Sequence, residues 1–230
     1  LFHEGIWIKY NGKSRLRPGV LSRALFMRPG DLYEPRAEAL TRKALGDLRL
    51  FRYINLRFIP RITGNRIDSL DCIVELSPGA RQGISADIQG TNTDGNLGVS
   101  LGAGYTNRNI FRGAEILEIS ANGGAEVQVI QGDSTEISTD GLPFNTLEVG
   151  GQISLSTPKF LAPFRISKWA RPRSRVLASI NYQRRPDYDR TVSTVLFGYE
   201  WTQPPPKRSW IRRRHELFYQ VNVAEVSLIN

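Results

Sequence analysis

The feature that most constrains this chain is a strict alternation of apolar and polar residues in its second half. From residue 97 to 106, every second residue is apolar or aromatic, and the residues between them are glycine, serine or threonine. Residues 146–156 repeat the pattern. A period of two is that of a β-strand, whose successive side chains point to opposite faces of a sheet. The second half is therefore predicted to be antiparallel sheet with one apolar and one polar face.

Seven such strands are predicted after residue 80, most of them near the ~9–11 residues that cross a bilayer obliquely. They cover residues 83–90, 96–106, 114–121, 146–156, 177–183, 194–201 and 217–223. In the last strand, Leu217, Tyr219, Val221 and Val223 would share the apolar face. A soluble β-sandwich would show the same alternation, so the pattern alone leaves that alternative open.

Two further features favour a membrane barrel. The polar face carries Gly, Ser, Thr, Asn and Gln rather than Lys and Glu, which suits a wet lumen. The connections also alternate in kind: 91–96, 132–145 and 185–190 are acidic or polar, whereas 107–113, 158–174 and 204–214 hold most of the basic residues. An up-and-down meander would place each set at one end. Aromatic residues near the strand ends fit interfacial girdles, with an ordinary core as the alternative; they are Tyr105, Tyr182, Tyr199, Trp201, Trp169 and Trp210.

The first 79 residues have a different texture. A β-rich segment at 5–10 precedes a helix opening at Pro18 and a longer helix opening at Pro35. Strands at 51–58 and 69–76 follow, and Pro60 is predicted to end the first of them. The order strand, helix, helix, strand, strand predicts an α+β unit with a small sheet and both helices on one of its faces.

Composition excludes several classes of function. The net charge is +9, but the basic clusters lack the interleaved aromatic residues that stack nucleic-acid bases, so no nucleic-acid partner is expected. Cys72 is the single cysteine, which excludes an internal disulfide and predicts a small buried hydrophobe. With two histidines and no nucleotide, zinc or nucleophile motif, the chain is predicted not to be an enzyme and to need no metal or cofactor. Asp187 and Asp189 are interpreted as a solvated hairpin tip.

Two stretches resemble known families. Residues 29–33 (PGDLY) and 51–54 (FRYI) are similar to the consensus of POTRA domains, at the start of the second helix and of the second strand. Residues 104–115 (GYTNRNIFRGAE) resemble the turn between the second and third barrel strands of the Omp85 superfamily. Arg112 stands where many members have glycine, and residues 215–217 (HEL) are similar to Bacteroidetes-type members.

The resemblance implies a periplasmic POTRA domain at 1–79, followed at 80–230 by about seven of the sixteen strands of an outer-membrane β-barrel. It implies a BamA- or TamA-like factor that inserts unfolded outer-membrane proteins, with membrane lipids and periplasmic or lipoprotein accessory subunits as further partners. A two-partner-type secretion pore and a non-membrane β-rich binding module are the alternatives. Because seven strands cannot close a barrel, the chain is expected to be part of a longer protein.

The resemblance also implies three sets of site residues. The client would add a strand to the POTRA edge at Arg52, Ile54, Leu56 and Phe58, or at residues 6–10 if the strand order differs. The first barrel strand would form a weak lateral gate, carried by Gly83, Ile84, Ala86, Ile88 and Gly90. The periplasmic turn would be built by Asn107, Asn109, Phe111 and Gly113, with Ile110 and Phe111 filling the barrel rim.

Overall fold

The computed structural model describes residues 1–12, 15–63, 66–93, 96–127, 146–161, 166–186, 188–203 and 217–229. Their first part contains β1 (Phe2–His3), β2 (Ile6–Trp7), α1 (Pro18–Ala24), α2 (Pro35–Asp47), β3 (Phe51–Thr63) and β4 (Arg66–Pro78). Their second part contains β5 (Gln82–Thr93), β6 (Asn96–Arg108), β7 (Ile116–Val127), β8 (Thr146–Thr157), a short 3-10 turn at Lys168–Ala170, β9 (Arg173–Arg184), β10 (Asp189–Gln203) and β11 (Leu217–Ile229). Among these residues, no helix is long and apolar enough to cross a membrane.

Both helices begin where their prolines predict. Pro18 and Pro35 occupy the first turns, where the missing N–H of proline has no helical acceptor to lose. The apolar stripe of α2 is buried against α1 and the β3–β4 hairpin, and Leu45 is its least exposed residue at 0%. Thr41, equally buried, accepts a hydrogen bond on its hydroxyl from the Phe26 N–H at 3.0 Å. The helical core therefore forms as the sequence periodicity indicates.

The predicted three-stranded sheet of the N-terminal unit (residues 1–79) is wrong in its first strand. Among the described residues β2 pairs with β1 alone, and β3 pairs only with β4. Residues 6–10 thus provide no edge for the β3–β4 hairpin, which corrects that alternative. A strand of two residues has too few ladder bonds to hold a sheet register by itself.

The β3–β4 hairpin is longer than predicted. Pro60 does not end β3 but lies opposite Leu70 within it. Because β3 has one unpaired side, proline can stand where its missing N–H would face that side. Cys72, opposite Phe58, is exposed rather than buried, which corrects its prediction. Partial burial, and then the negative charge of Glu38, raises the pKa of its thiol.

The seven predicted strands of the second half are confirmed, and they form one antiparallel meander in the order β5 to β11. Each has 12–15 residues and is longer than predicted. In the described residues β5 and β11 are its two edges and do not pair with each other. Successive connections therefore alternate between the two ends of the sheet, as expected from the chain order.

The strand register places the apolar residues of neighbouring strands opposite one another on the same face of the sheet. Across β7, β8, β9 and β10 the partners Ile119, Ile153, Ala178 and Val195 stand in one row. This face is open to its surroundings: Ile84 is 86% exposed and Val195 is 56% exposed. A monomeric soluble protein rarely exposes a continuous apolar surface of this extent, because burying it is favourable in water.

One detail of the last strand differs from the prediction. The β10–β11 register shifts between Phe197 and Gly198, so Val223 has no partner and the apolar row continues at Ala224 and Val226. Such a bulge adds one residue to one strand and breaks strict alternation there.

Several predicted features lie outside the described residues. They are the connections 132–145 and 204–214, with Trp210, and Asp187, His215 and Glu216.

Candidate functional site

The β6–β7 turn combines left-handed backbone conformations with several local hydrogen bonds. Asn109, Arg112 and Ala114 have φ angles of 77°, 64° and 63°, in the left-handed region that glycine adopts most easily. The Asn109 Oδ1 accepts a hydrogen bond from the Ala114 N–H at 3.0 Å, and the Asn109 N–H donates to the Glu115 carbonyl at 2.5 Å. Asparagine tolerates this conformation because its short polar side chain bonds the local backbone.

The Glu115 carboxylate accepts hydrogen bonds from the backbone of the turn. One oxygen of its carboxylate, Oε2, accepts the N–H groups of Phe111 at 3.2 Å and Gly113 at 2.9 Å. The side chain is buried, with 7% of the residue exposed. A Cβ added to Gly113 would lie 2.1 Å from Glu115 Oε1, so this position requires glycine as long as the carboxylate stays in place.

The same turn holds the N-terminal unit. Asn109 Nδ2 donates to the Arg15 carbonyl at 2.7 Å, and the Arg17 N–H donates to the Arg112 carbonyl at 2.9 Å. Ala114, 2% exposed, belongs to the hydrophobic core of α1 and α2. The buried amide of Asn109 therefore bonds both the turn and the segment that leads into α1.

The β8–β9 connection makes a second contact with the N-terminal unit. Arg171 donates to the Asp47 carboxylate at 2.5 Å, and Arg173 donates to the Asp47 carbonyl at the end of α2. The Trp169 ring packs on Phe26, with 4.9 Å between centroids. Trp169 thus belongs to this junction, which corrects its assignment to an interfacial girdle. Both contacts lie at one end of the meander.

Of the four predicted turn residues, the structure brings three together. Asn109, Phe111 and Gly113 lie in the turn, whereas Asn107 belongs to β6, opposite Gln82 and Leu117. Phe111 is 58% exposed on this open sheet, and its place at a barrel rim stays a prediction. Glu115 was within the recognised segment but had no predicted role. A buried acid directly after a turn rich in N–H donors is the signal that could have assigned it.

The predicted gate residues fall on β5, an edge strand of the sheet. Ile84 and Ile88 are 86% and 76% exposed on the apolar face. A Cβ at Gly83 or Gly90 would meet nothing within 4 Å. On the other face, Asp87 lies across Gly102 of β6, whose added Cβ would be 2.5 Å from its carboxylate. All five predicted gate residues therefore lie on one edge strand, and their role in gating stays a prediction.

The predicted client-binding residues fall on β3, whose side away from β4 is unpaired in the described residues. The side chain of Leu56 is buried at 7% exposure, and Ile54 packs against the helical core. These two side chains are therefore unavailable to a partner. Main-chain groups at the edge are what a partner strand would use.

Several chains of solved structures are similar to this one. The crystal structure of BamA from Haemophilus ducreyi lacking POTRA domains 1–3 is similar over 85% of this chain and 31% of that chain, with a TM-score of 0.46 and 14% identity. The chain thus spans less than a third of that neighbour's length. No protein-family model and no curated protein matches the sequence.

Proposed function

We propose that this chain is part of an Omp85-type outer-membrane assembly factor, BamA- or TamA-like, that receives unfolded β-barrel proteins and helps them into the membrane. One observation carries the proposal: a seven-stranded meander that exposes a continuous apolar face and keeps a face of small and polar residues behind it. Lipid is the solvent in which such an apolar face is stable. The opposite face would line a wet lumen.

The polar face supports a lumen rather than a second packed layer. Its side chains bond one another across strands: Asn181 Nδ2 donates to the Glu148 carboxylate at 2.8 Å, and Ser154 donates to Glu118 at 3.4 Å. Asn122 lies over Gly150 of the next strand, where an added Cβ would be 2.6 Å from its amide oxygen. Polar side chains that lie flat over glycines leave an open, hydrated surface.

The proposed orientation follows from the junction. The N-terminal unit is fixed at the end of the meander that carries the β6–β7 turn, which is the periplasmic end in the Omp85 resemblance. We therefore place residues 1–79 in the periplasm and the apolar face of β5–β11 in the outer membrane. Accessory subunits, if any, would meet this unit from the periplasm.

The proposed mechanism involves no bond chemistry. An unfolded client would first add a strand to the open edge of β3, where main-chain hydrogen bonds give affinity with little sequence preference. It would then pair with β5, whose exposed edge and glycines make it the more easily opened side of the sheet. We expect no metal or cofactor to take part in these steps. In the part of the chain that the structure describes, no group of His, Cys, Asp and Glu could hold a metal ion.

Liposome reconstitution tests the function directly. The protein as it exists in its membrane, with any further strands of the same polypeptide, is reconstituted into phospholipid vesicles and mixed with a urea-unfolded outer-membrane barrel. We expect client folding, followed by heat-modifiable gel mobility, to be several times faster than in empty vesicles. Unchanged folding rates together with ion conductance would indicate a secretion pore instead. A protein that stays in solution without detergent would contradict both.

Arg112 offers a smaller test of the turn. Arg112→Gly should raise the free energy of unfolding by about 0.5–1 kcal/mol, because glycine adopts the observed φ of 64° without the steric cost of an L side chain. Arg112→Ala is the matched control, since it removes the guanidinium but keeps the strain. Urea unfolding in detergent measures both, and an equal gain in the alanine variant would show that charge, not backbone strain, is responsible.

A further inference from the structure

The open edge of β3 is partly covered by side chains from the first two turns of α2 and from the segment before it. Arg42 donates to the Ile54 carbonyl at 3.3 Å. Its second guanidinium nitrogen donates to the Glu38 carboxylate at 3.2 Å, one helical turn earlier. The other oxygen of Glu38 accepts from the Tyr33 hydroxyl at 2.9 Å. These three residues form a continuous hydrogen-bonded chain, here named the strap (Tyr33, Glu38 and Arg42).

The strap runs along the edge that a client strand would need. The Ile54 carbonyl accepts from Arg42 of α2, so it points away from β4. Main-chain groups alternate in direction along an antiparallel strand, so those of Leu56 and Phe58 point the same way. Tyr33 stands at the far end of this stretch, its ring edge-on to Phe58 with 5.0 Å between centroids. The strap thus spans Ile54 to Phe58, the rungs of the edge nearest α2.

The hydrogen bond to Glu38 is also visible in the chemistry of Tyr33. That bond first, and then partial desolvation and the charge of Glu38, raises the pKa of the Tyr33 phenol. A phenol with the ordinary pKa of about 10 is already protonated at neutral pH, so Tyr33 can donate to Glu38 there. An open groove of about 410 Å³ lies along the same side of α2, lined by Pro35, Glu38, Ala39, Arg42 and Lys43.

We propose that the strap is an autoinhibitory contact, in which Arg42 occupies the first rung of the β3 edge until a client strand displaces it. The proposal rests on the proposed client-binding function and adds its regulation. The strap is weak enough to be displaced: the Arg42 and Glu38 side chains are 47% and 23% exposed, and exposed pairs of this spacing contribute little. A client strand would form several main-chain hydrogen bonds with β3 and would displace only the one between Arg42 and the Ile54 carbonyl.

A covered edge has a second use, because free edges invite uncontrolled pairing between chains. Protection alone predicts that removing Arg42 causes self-association. The autoinhibitory contact predicts tighter binding of a client strand by the monomeric protein. The two are separated by measuring both properties on the same samples.

The experiment compares the intact protein with Arg42→Ala and Arg28→Ala in detergent. Arg28 is the matched control, since it lies away from β3, pairs with Glu4 at 3.7 Å, is similarly exposed at 50%, and its removal changes the net charge equally. The probe is a fluorescein-labelled peptide of the β11 sequence, residues 217–229, whose alternation is that of a barrel strand. Binding is followed by fluorescence anisotropy and oligomeric state by light scattering.

We expect Arg42→Ala to bind the peptide about three- to tenfold more tightly than the unchanged protein, the effect of removing one competing hydrogen bond of modest net strength. Arg28→Ala should bind as the unchanged protein does. Equal or weaker binding by Arg42→Ala, or tighter self-association without tighter peptide binding, would overturn the inference while leaving strand addition intact. Absence of peptide binding by all three proteins would instead contradict the strand-addition function, and the inference with it.

Discussion

Ile153→Arg should destabilise the protein in lipid by about 2–4 kcal/mol, whereas Gln152→Arg should cost less than about 1 kcal/mol. Ile153 lies near the middle of β8 on the apolar face, opposite Ile119 and Ala178, and is 47% exposed. If that face contacts lipid, an arginine there must hold its charge in hydrocarbon. Gln152, the next residue along the strand, points to the polar face opposite Ser120 and Ser179. There the guanidinium meets water.

The measurement is urea-induced unfolding of each variant in phospholipid vesicles, followed by tryptophan fluorescence and heat-modifiable mobility. The pair is well matched because the substitutions introduce the same side chain at adjacent positions of one strand. A non-membrane sheet predicts a different order. On a water-facing apolar surface, Ile153→Arg would leave stability almost unchanged and improve solubility. A smaller penalty at Ile153 than at Gln152 would therefore refute the membrane assignment.

The sheet was predictable because both of its faces have strong and different requirements. In 97–106 and 146–156 each side chain is apolar or polar according to its face, so a shift by one residue would reverse every position. This explains why all seven strands could be placed from the sequence. The β10–β11 bulge escaped prediction because Val223 still reads as one more apolar residue in the alternation.

The N-terminal unit was less predictable for physical reasons. Residues 6–10 have the composition of a strand, yet only Ile6–Trp7 pairs. A strand forms only beside a partner strand, and the composition of a segment does not identify that partner. Pro60 was read as a strand end, although an unpaired side of β3 accommodates it. Cys72 was expected to be buried from its apolar neighbours, but the helices cover the hairpin only as far as Leu56 and Val74.

In the candidate sites, too, local requirements were predictable from the sequence and long-range contacts were not. Asn109 and Gly113 carry recognisable local requirements, a left-handed backbone and a missing Cβ, and sequence alone singled them out. The partners of Asp47 and Asn109 lie 124 and 94 residues away along the chain, respectively. Long-range pairs of this kind depend on how the N-terminal unit docks on the sheet. Periodicity carries no information about that docking.

The second prediction concerns Glu115. Glu115→Ala should lower the free energy of unfolding by about 2–4 kcal/mol, because the N–H groups of Phe111 and Gly113 lose their shared acceptor in a largely buried turn. Glu115→Gln is the matched control. Both N–H groups bond the same oxygen, so an amide oxygen can replace it, and the expected loss is only about 1 kcal/mol from the lost charge assistance.

Gly113→Ala supplies the complementary change. Its added Cβ would meet Glu115 Oε1 at 2.1 Å, so the carboxylate must move and the same two N–H groups lose their acceptor. We therefore expect Gly113→Ala to cost nearly as much as Glu115→Ala. In the double variant the second substitution should add little, because the interaction is already lost. Urea unfolding of the four proteins gives the coupling, and additive losses would show that Gly113 and Glu115 act separately.

Amide hydrogen exchange identifies the residues that the Glu115→Ala substitution destabilises. The turn holds the N-terminal unit through the Arg17 N–H, which donates to the Arg112 carbonyl, and through Asn109, which bonds Arg15. If Glu115 sets the turn geometry, exchange in Glu115→Ala should accelerate at the Phe111, Gly113 and Arg17 amides together, and remain slow in β8 and β9. Acceleration confined to Phe111 and Gly113 would mean that the N-terminal unit docks without the turn, through contacts such as those of Trp169, Arg171 and Arg173.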